Sequence, residues 1–90
     1  MEDKLLKILD TYGIEHQTQK LGEEVIELII EIAKYEENNL KPKGKILEEL
    51  ADVCVMIEQV KLYYNFDDKE MEAEKQYKIN RQLERIEKGE

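Results

Sequence analysis

Almost nothing in this chain interrupts a helix. Its 90 residues hold one Pro and four Gly. Proline and glycine are the residues that most reliably stop helices and turn chains. The strongest punctuation is Asn38-Asn39-Leu40-Lys41-Pro42-Lys43-Gly44, which reads as a loop. Gly13 follows Thr11-Tyr12, and Asn65-Phe66-Asp67-Asp68 reads as a turn with Asp67 or Asp68 as the next N-cap. The stretches between them predict four helices, over about 2–10, 15–37, 44–64 and 68–88. The fold expected is therefore all-α, an antiparallel helical bundle of about four helices in one domain, 1–90. Short connections set sequential helices antiparallel.

Composition narrows the function. Charged residues make up 40% and Trp is absent, a profile of long helices. The net charge of −8 repels a polymer of phosphates, so a nucleic-acid partner is not expected. One Cys excludes an internal disulfide. No apolar run reaches the ~20 residues of a membrane span, and Met1-Glu2-Asp3-Lys4 is unlike a secretory leader. The expectation is a cytoplasmic protein with no membrane partner.

The second and third helices carry the chemistry. At ~100° per residue, Lys20, Glu23, Glu24, Glu27 and Glu31 share one stripe of the second. Apolar residues, Leu21 through Ala33, fill the remaining arc of roughly 200°. On the third, Glu48, Glu49, Asp52, Met56, Gln59 and Tyr63 form the stripe, and residues such as Leu47, Leu50 and Val53 cover the rest. These apolar arcs are wider than one chain can cover, so a homodimer or homotetramer is expected. The acids are islands on apolar cylinders, where carboxylates are costly unless paired or metal-bound.

Glu23-Glu24-Val25-Ile26-Glu27 is an E-E-x-x-E, and Glu48-Glu49-Leu50-Ala51-Asp52 an E-E-x-x-D. Spacings of three and four put the acids on neighbouring turns. If the two helices pack antiparallel, four carboxylates line one groove, a donor set that suits Mg²⁺ or Mn²⁺. The sequence has no Cys/His set with zinc spacing and no E-x-x-H of a di-iron bundle. Each motif alone is weak in a chain this rich in Glu; the value lies in the pair on consecutive helices.

That pair resembles the signature of the MazG-like all-α nucleoside-triphosphate pyrophosphohydrolases. The likeness runs from Gly13 to about Val60, through His16-Gln17-Thr18-Gln19-Lys20-Leu21-Gly22-Glu23-Glu24. The segment Lys78-Ile79-Asn80-Arg81-Gln82-Leu83-Glu84-Arg85-Ile86 is similar to the basic helix that ends such chains. The resemblance implies Mg²⁺-dependent hydrolysis of a (deoxy)nucleoside triphosphate to monophosphate and pyrophosphate. It implies Glu24, Glu27, Glu49 and Asp52 as metal ligands, and Glu23 or Glu48 as the group that activates water. Gln17, Lys78 and Arg81 fall at substrate-binding positions. Two other readings stand beside it: phosphoribosyl-ATP pyrophosphohydrolase on the same fold, and a non-enzymatic acidic oligomerisation module. His16, Gln17 and Gln19 are expected at the surface. Cys54 is expected as a buried inert thiol, and Tyr63, Tyr64 and Phe66 as packing residues.

Overall fold

The computed structural model describes residues 1–38 and 43–89. They form four α-helices: α1 (Glu2–Tyr12), α2 (Ile14–Asn38), α3 (Lys43–Tyr64) and α4 (Asp68–Glu87). The all-α expectation holds, and each helix lies within two residues of its expected bounds. Gly44 belongs to α3 rather than to a loop; the turn expected at 39–42 lies outside the described residues.

Local chemistry explains the helix ends. Glu2 and Asp3 place negative charge in the first turn of α1, where the helix dipole favours it. Gly13 ends α1 at φ 87°, ψ 156°, a conformation essentially reserved for glycine. Its N–H still bonds to the Leu9 carbonyl at 2.8 Å, and α2 begins one residue later. Asp67 caps α4 by accepting from the Glu70 N–H at 2.7 Å. The Glu70 side chain accepts from the Asp67 N–H in return, a complete capping box. Asn65, at φ 59°, makes the turn before it.

α2 and α3 lie side by side and antiparallel, and α1 packs on both. The register is fixed by three facing pairs: Gln17 with Gln59, Glu24 with Asp52, and Glu27 with Glu49. Gln17, Lys20, Glu24 and Glu27 alternate by three and four, as do Gln59, Met56, Asp52 and Glu49. This is the seam spacing of two packed helices, occupied here mainly by polar groups. Among the described residues the buried apolar side chains are Leu9, Val53 and Met56. The buried polar ones are Gln17, Glu24 and Gln59.

Many of the apolar residues of α2 and α3 face outward. Ile26, Ile29, Ile30, Leu47, Leu50 and Ile57 are all exposed in the single chain. Cys54 is exposed as well, against expectation. Its neighbours on that side of α3 are uncovered, so an apolar position is not a buried one here. Tyr63, Tyr64 and Phe66 pack on one another, with ring centroids 4.9 and 5.8 Å apart, at a half-exposed helix end.

α4 packs against none of the other helices. It is tied to α3 by Lys61, which reaches Asp68 at 2.9 Å and Glu58 at 3.2 Å. The Cα radius of gyration is accordingly 16.3 Å, against about 12 Å for a globular chain of this length. No helix among the described residues is long and apolar enough to cross a membrane.

Gly13→Ala is expected to destabilise the fold by about 1–3 kcal/mol, because Ala is strained at that φ and ψ. Gly44→Ala should be neutral or stabilising by about 0.5 kcal/mol, since its added methyl meets nothing within 4 Å. Urea melts of the two variants check the contrast.

Candidate metal centre

Two helical turns from each acid motif, the α2–α3 seam opens on a buried amide pair. Gln17 Nε2 donates to Gln59 Oε1 at 2.8 Å. Gln59 is 1% exposed, and its own Nε2 donates to the Val55 carbonyl at 3.5 Å. Gln17 Oε1 lies 2.7 Å from His16 Nδ1, and the His16 ring stacks on Tyr12 with centroids 5.1 Å apart. Gln17 was expected at the surface; burial against Gln59 corrects that, while His16 and Gln19 are exposed as expected. Both hydrogen-bonding atoms of the Gln17 amide are engaged within the chain. Gln59 is the residue that sequence reasoning passed over. Its signal was the seven-residue step from Asp52, matching the step from Glu24 back to Gln17.

One heptad further along, about 10 Å along the axes, the seam turns acidic. Carboxylate oxygens of Glu24, Glu49 and Asp52 lie within 4.8 Å of one another. Glu27 stands beside them, within hydrogen-bonding reach of Glu49. The four expected ligands are thus brought to one place by two helices. Glu24 is 8% exposed; one of its oxygens takes an ion pair from Lys20 Nζ at 3.3 Å. The other, Oε2, is buried without a partner, and so is Glu49 Oε2. Buried polar atoms are almost always paired, so two orphaned carboxylate oxygens in one cluster call for a cation or a proton.

The electrostatics agree. The Glu49 carboxyl is held above its ordinary range, first by burial, then by the charges of Glu27, Asp52 and Glu24 and by the hydrogen bond with Glu27. The Lys20 ammonium is held above its own range, chiefly by its hydrogen bond and charge pairing with Glu24. A single exposed ammonium leaves most of the clustered charge uncompensated.

The remaining candidates lie apart. Glu48 is two-thirds exposed and pairs with Lys45 at 3.5 Å on the outer side of α3. Glu23 is exposed on α2 near Lys20. Both flank the cluster in sequence but are not part of it. Lys78 and Arg81 lie on α4, which does not touch α2 or the acidic part of α3 in the same chain. There Arg81 sits 5.8 Å over the Tyr77 ring, its Nε buried without a hydrogen bond. The acids line an open seam. A cavity of about 560 Å³ lies instead between α1 and the α3–α4 turn, lined by Leu5, Lys61, Leu62 and Phe66 among others.

No protein-family model, curated protein or solved structure matches this chain.

The raised Glu49 carboxyl sets the sign of a pH effect. Its folded state holds the proton more tightly than the unfolded chain, so this contribution to stability is full below the ordinary carboxylate value. It is lost as pH rises through the folded value. In EDTA, Glu49→Gln should therefore melt above the parent at about pH 7, with the difference closing toward about pH 4. A variant melting below the parent at neutral pH would show instead a carboxylate well satisfied without metal.

The amide pair generates a second expectation. Gln17→Met strands the Gln59 amide and should cost about 1–3 kcal/mol. Adding Gln59→Met should cost less than the sum of the two single changes, because both buried partners then disappear together. Denaturant unfolding of the four proteins gives the coupling.

Proposed function

We propose that this chain is a Mg²⁺-dependent nucleoside-triphosphate pyrophosphohydrolase of the MazG-like kind. The observation that carries the reading is the cluster of Glu24, Glu49 and Asp52, with Glu27 beside it and two buried oxygens lacking partners. An all-oxygen anionic donor set on two rigid helices fits a hard divalent cation, Mg²⁺ or Mn²⁺. The order of the acidic motifs along the chain, E-E-x-x-E then E-E-x-x-D, supplies the resemblance that names the reaction.

In this reading Glu24, Glu27, Glu49 and Asp52 hold the cation, which neutralises phosphate charge and stabilises the leaving pyrophosphate. The carboxylates' own charge would otherwise repel the substrate. Glu23 or Glu48, the acids that flank the cluster in sequence, accepts the proton of the attacking water; Glu48 must first leave its ion pair with Lys45. The water oxygen bonds to phosphorus, the α–β bridge breaks, and monophosphate and pyrophosphate separate. Gln17 acts as a brace: with Gln59 it sets the register that brings Glu24 opposite Asp52. Lys78 and Arg81 meet phosphates only if α4 lies over a seam other than its own, which makes a homodimer or homotetramer part of the proposal. The openness of the acidic seam supports the same view, since a nucleotide needs walls that one chain does not supply.

The test is pyrophosphate release from a panel of canonical and modified (d)NTPs with Mg²⁺, with EDTA as control. Turnover is expected with Mg²⁺ only, and Asp52→Asn should lower kcat/KM by roughly 100-fold or more. No turnover on any nucleotide, with Mg²⁺ leaving the melting temperature unmoved, refutes the reading and favours an acidic oligomerisation module. Mg²⁺ binding without nucleotide turnover moves the substrate to phosphoribosyl-ATP.

A further inference from the structure

Lys20 stands where a seam residue would ordinarily be apolar. It belongs to the series Gln17, Lys20, Glu24 and Glu27 that α2 turns toward α3. In the register set by Gln17–Gln59, Glu24–Asp52 and Glu27–Glu49, it lies level with Met56, a buried thioether. A thioether is a weak acceptor, so α3 offers the ammonium no charge at that level. The side chain reaches along α2 instead. Its Nζ meets Glu24 Oε1 at 3.3 Å, and the charges of Glu23 and Glu27 act on it as well.

The partner sets this ion pair apart. Lys45 with Glu48, Lys61 with Glu58 and Lys75 with Glu72 join acids outside the cluster. Lys20 joins the most buried acid within it, while its own side chain stays half in solvent.

Two demands then meet on one carboxylate. Glu24 has one oxygen on Lys20 and the other, Oε2, buried without a partner. A divalent cation shared by Glu24, Glu49 and Asp52 would stand beside the ammonium, where like charges repel. The ion carries twice the charge and has several carboxylates to hold it. The ammonium has a flexible four-carbon stem and solvent behind it, so the ammonium is the one that moves. The acidic seam is open, and a phosphate chain reaching the ion comes in from the solvent that the ammonium already touches. A lysine is a compact point charge suited to phosphate oxygens. Lys78 and Arg81, by contrast, do not reach the cluster of their own chain.

We propose that Lys20 is a tethered counter-ion with two stations: in the empty seam its ammonium holds Glu24, and in the loaded seam it yields Glu24 to the metal and binds an oxygen of the phosphate chain. The role rests on the metal-dependent pyrophosphohydrolase reading of the seam. It gives each chain a phosphate-binding cation of its own. It also makes loss of the ammonium act in opposite directions on the two ligands: Glu24 is freed for the metal, and the phosphate chain loses a partner. Mere loosening of the hairpin would weaken both.

Isothermal titration with Mg²⁺ alone, then of the Mg²⁺-saturated protein with inorganic triphosphate, tests this in the parent, Lys20→Met and Lys20→Arg. Lys20→Met should bind Mg²⁺ about three- to tenfold more tightly than the parent, and triphosphate roughly tenfold more weakly. Lys20→Arg keeps the charge and should follow the parent in both. Lys20→Gln, which keeps a polar tip beside Glu24, should give the same two shifts and serves where Lys20→Met does not fold in EDTA. Weaker Mg²⁺ binding by the uncharged variants overturns the first station. Unchanged triphosphate affinity in them overturns the second. A parent that binds no Mg²⁺ overturns the metal centre and this role with it. A parent that binds both ligands yet releases no pyrophosphate from any (d)NTP refutes the enzymatic reading alone, and the opposed shifts then still support the role of Lys20.

Discussion

The acidic and amide pairs facing each other across α2 and α3 are the constraint on which this molecule turns. A seam between two helices is ordinarily where apolar side chains go, because nothing else there is satisfied without water. Here the seam holds Gln17 against Gln59, then Glu24 against Asp52 and Glu27 against Glu49. The amides satisfy each other. The carboxylates do not, and the raised Glu49 carboxyl and the orphaned oxygens of Glu24 and Glu49 are two expressions of one unmet charge.

Placing polar groups inside forces apolar ones outside. A helix has one circumference, and if its seam is given to acids, its Ile and Leu must look elsewhere for burial. Leu9, Val53 and Met56 are a small core for a chain of this size. Met56 lies against the Gln17–Gln59 amides, and Val53 follows Asp52 in the chain. The single chain thus separates two tasks: α1 and the amide pair hold the helices in register, while the acidic half of the seam stays open.

Much of this was legible in the sequence, for identifiable reasons. The four helices followed from sparse Pro and Gly and from Asp67 as a cap, all local signals. The two acidic stripes followed from helical spacing, and singling out Glu24, Glu27, Glu49 and Asp52 among their acids followed from the family resemblance. What sequence periodicity could not give was the direction in which a stripe points. A polar stripe is normally a solvated one, so Gln17 read as exposed, yet it faces α3. Cys54 read as buried by the same logic, yet its side of α3 is uncovered in one chain. The departure of α4 from the hairpin was also invisible, since a short connection limits distance and says little about direction. Asn65 in its left-handed conformation and the Lys61–Asp68 bridge decide that direction, and neither is a pattern that periodicity detects.

The inversion bears on how the proposed cation site would be tuned. If the acids lay on a solvated face, water would screen their repulsion and a cation would gain little by joining them. Buried fully in an apolar core, they would take up protons and lose their affinity at neutral pH. The seam is between these limits. Glu24 is nearly enclosed, Glu49 is half-buried and Asp52 is exposed, so charge is concentrated where desolvation makes it costly and still reachable from solvent. A cation entering there would remove the repulsion among the four carboxylates and would give the two orphaned oxygens a partner. Its binding free energy would then also be stability of the hairpin, so on the proposed reading ligand affinity and fold stability move together at this site, while the amide pair two turns away holds the register by its own hydrogen bond.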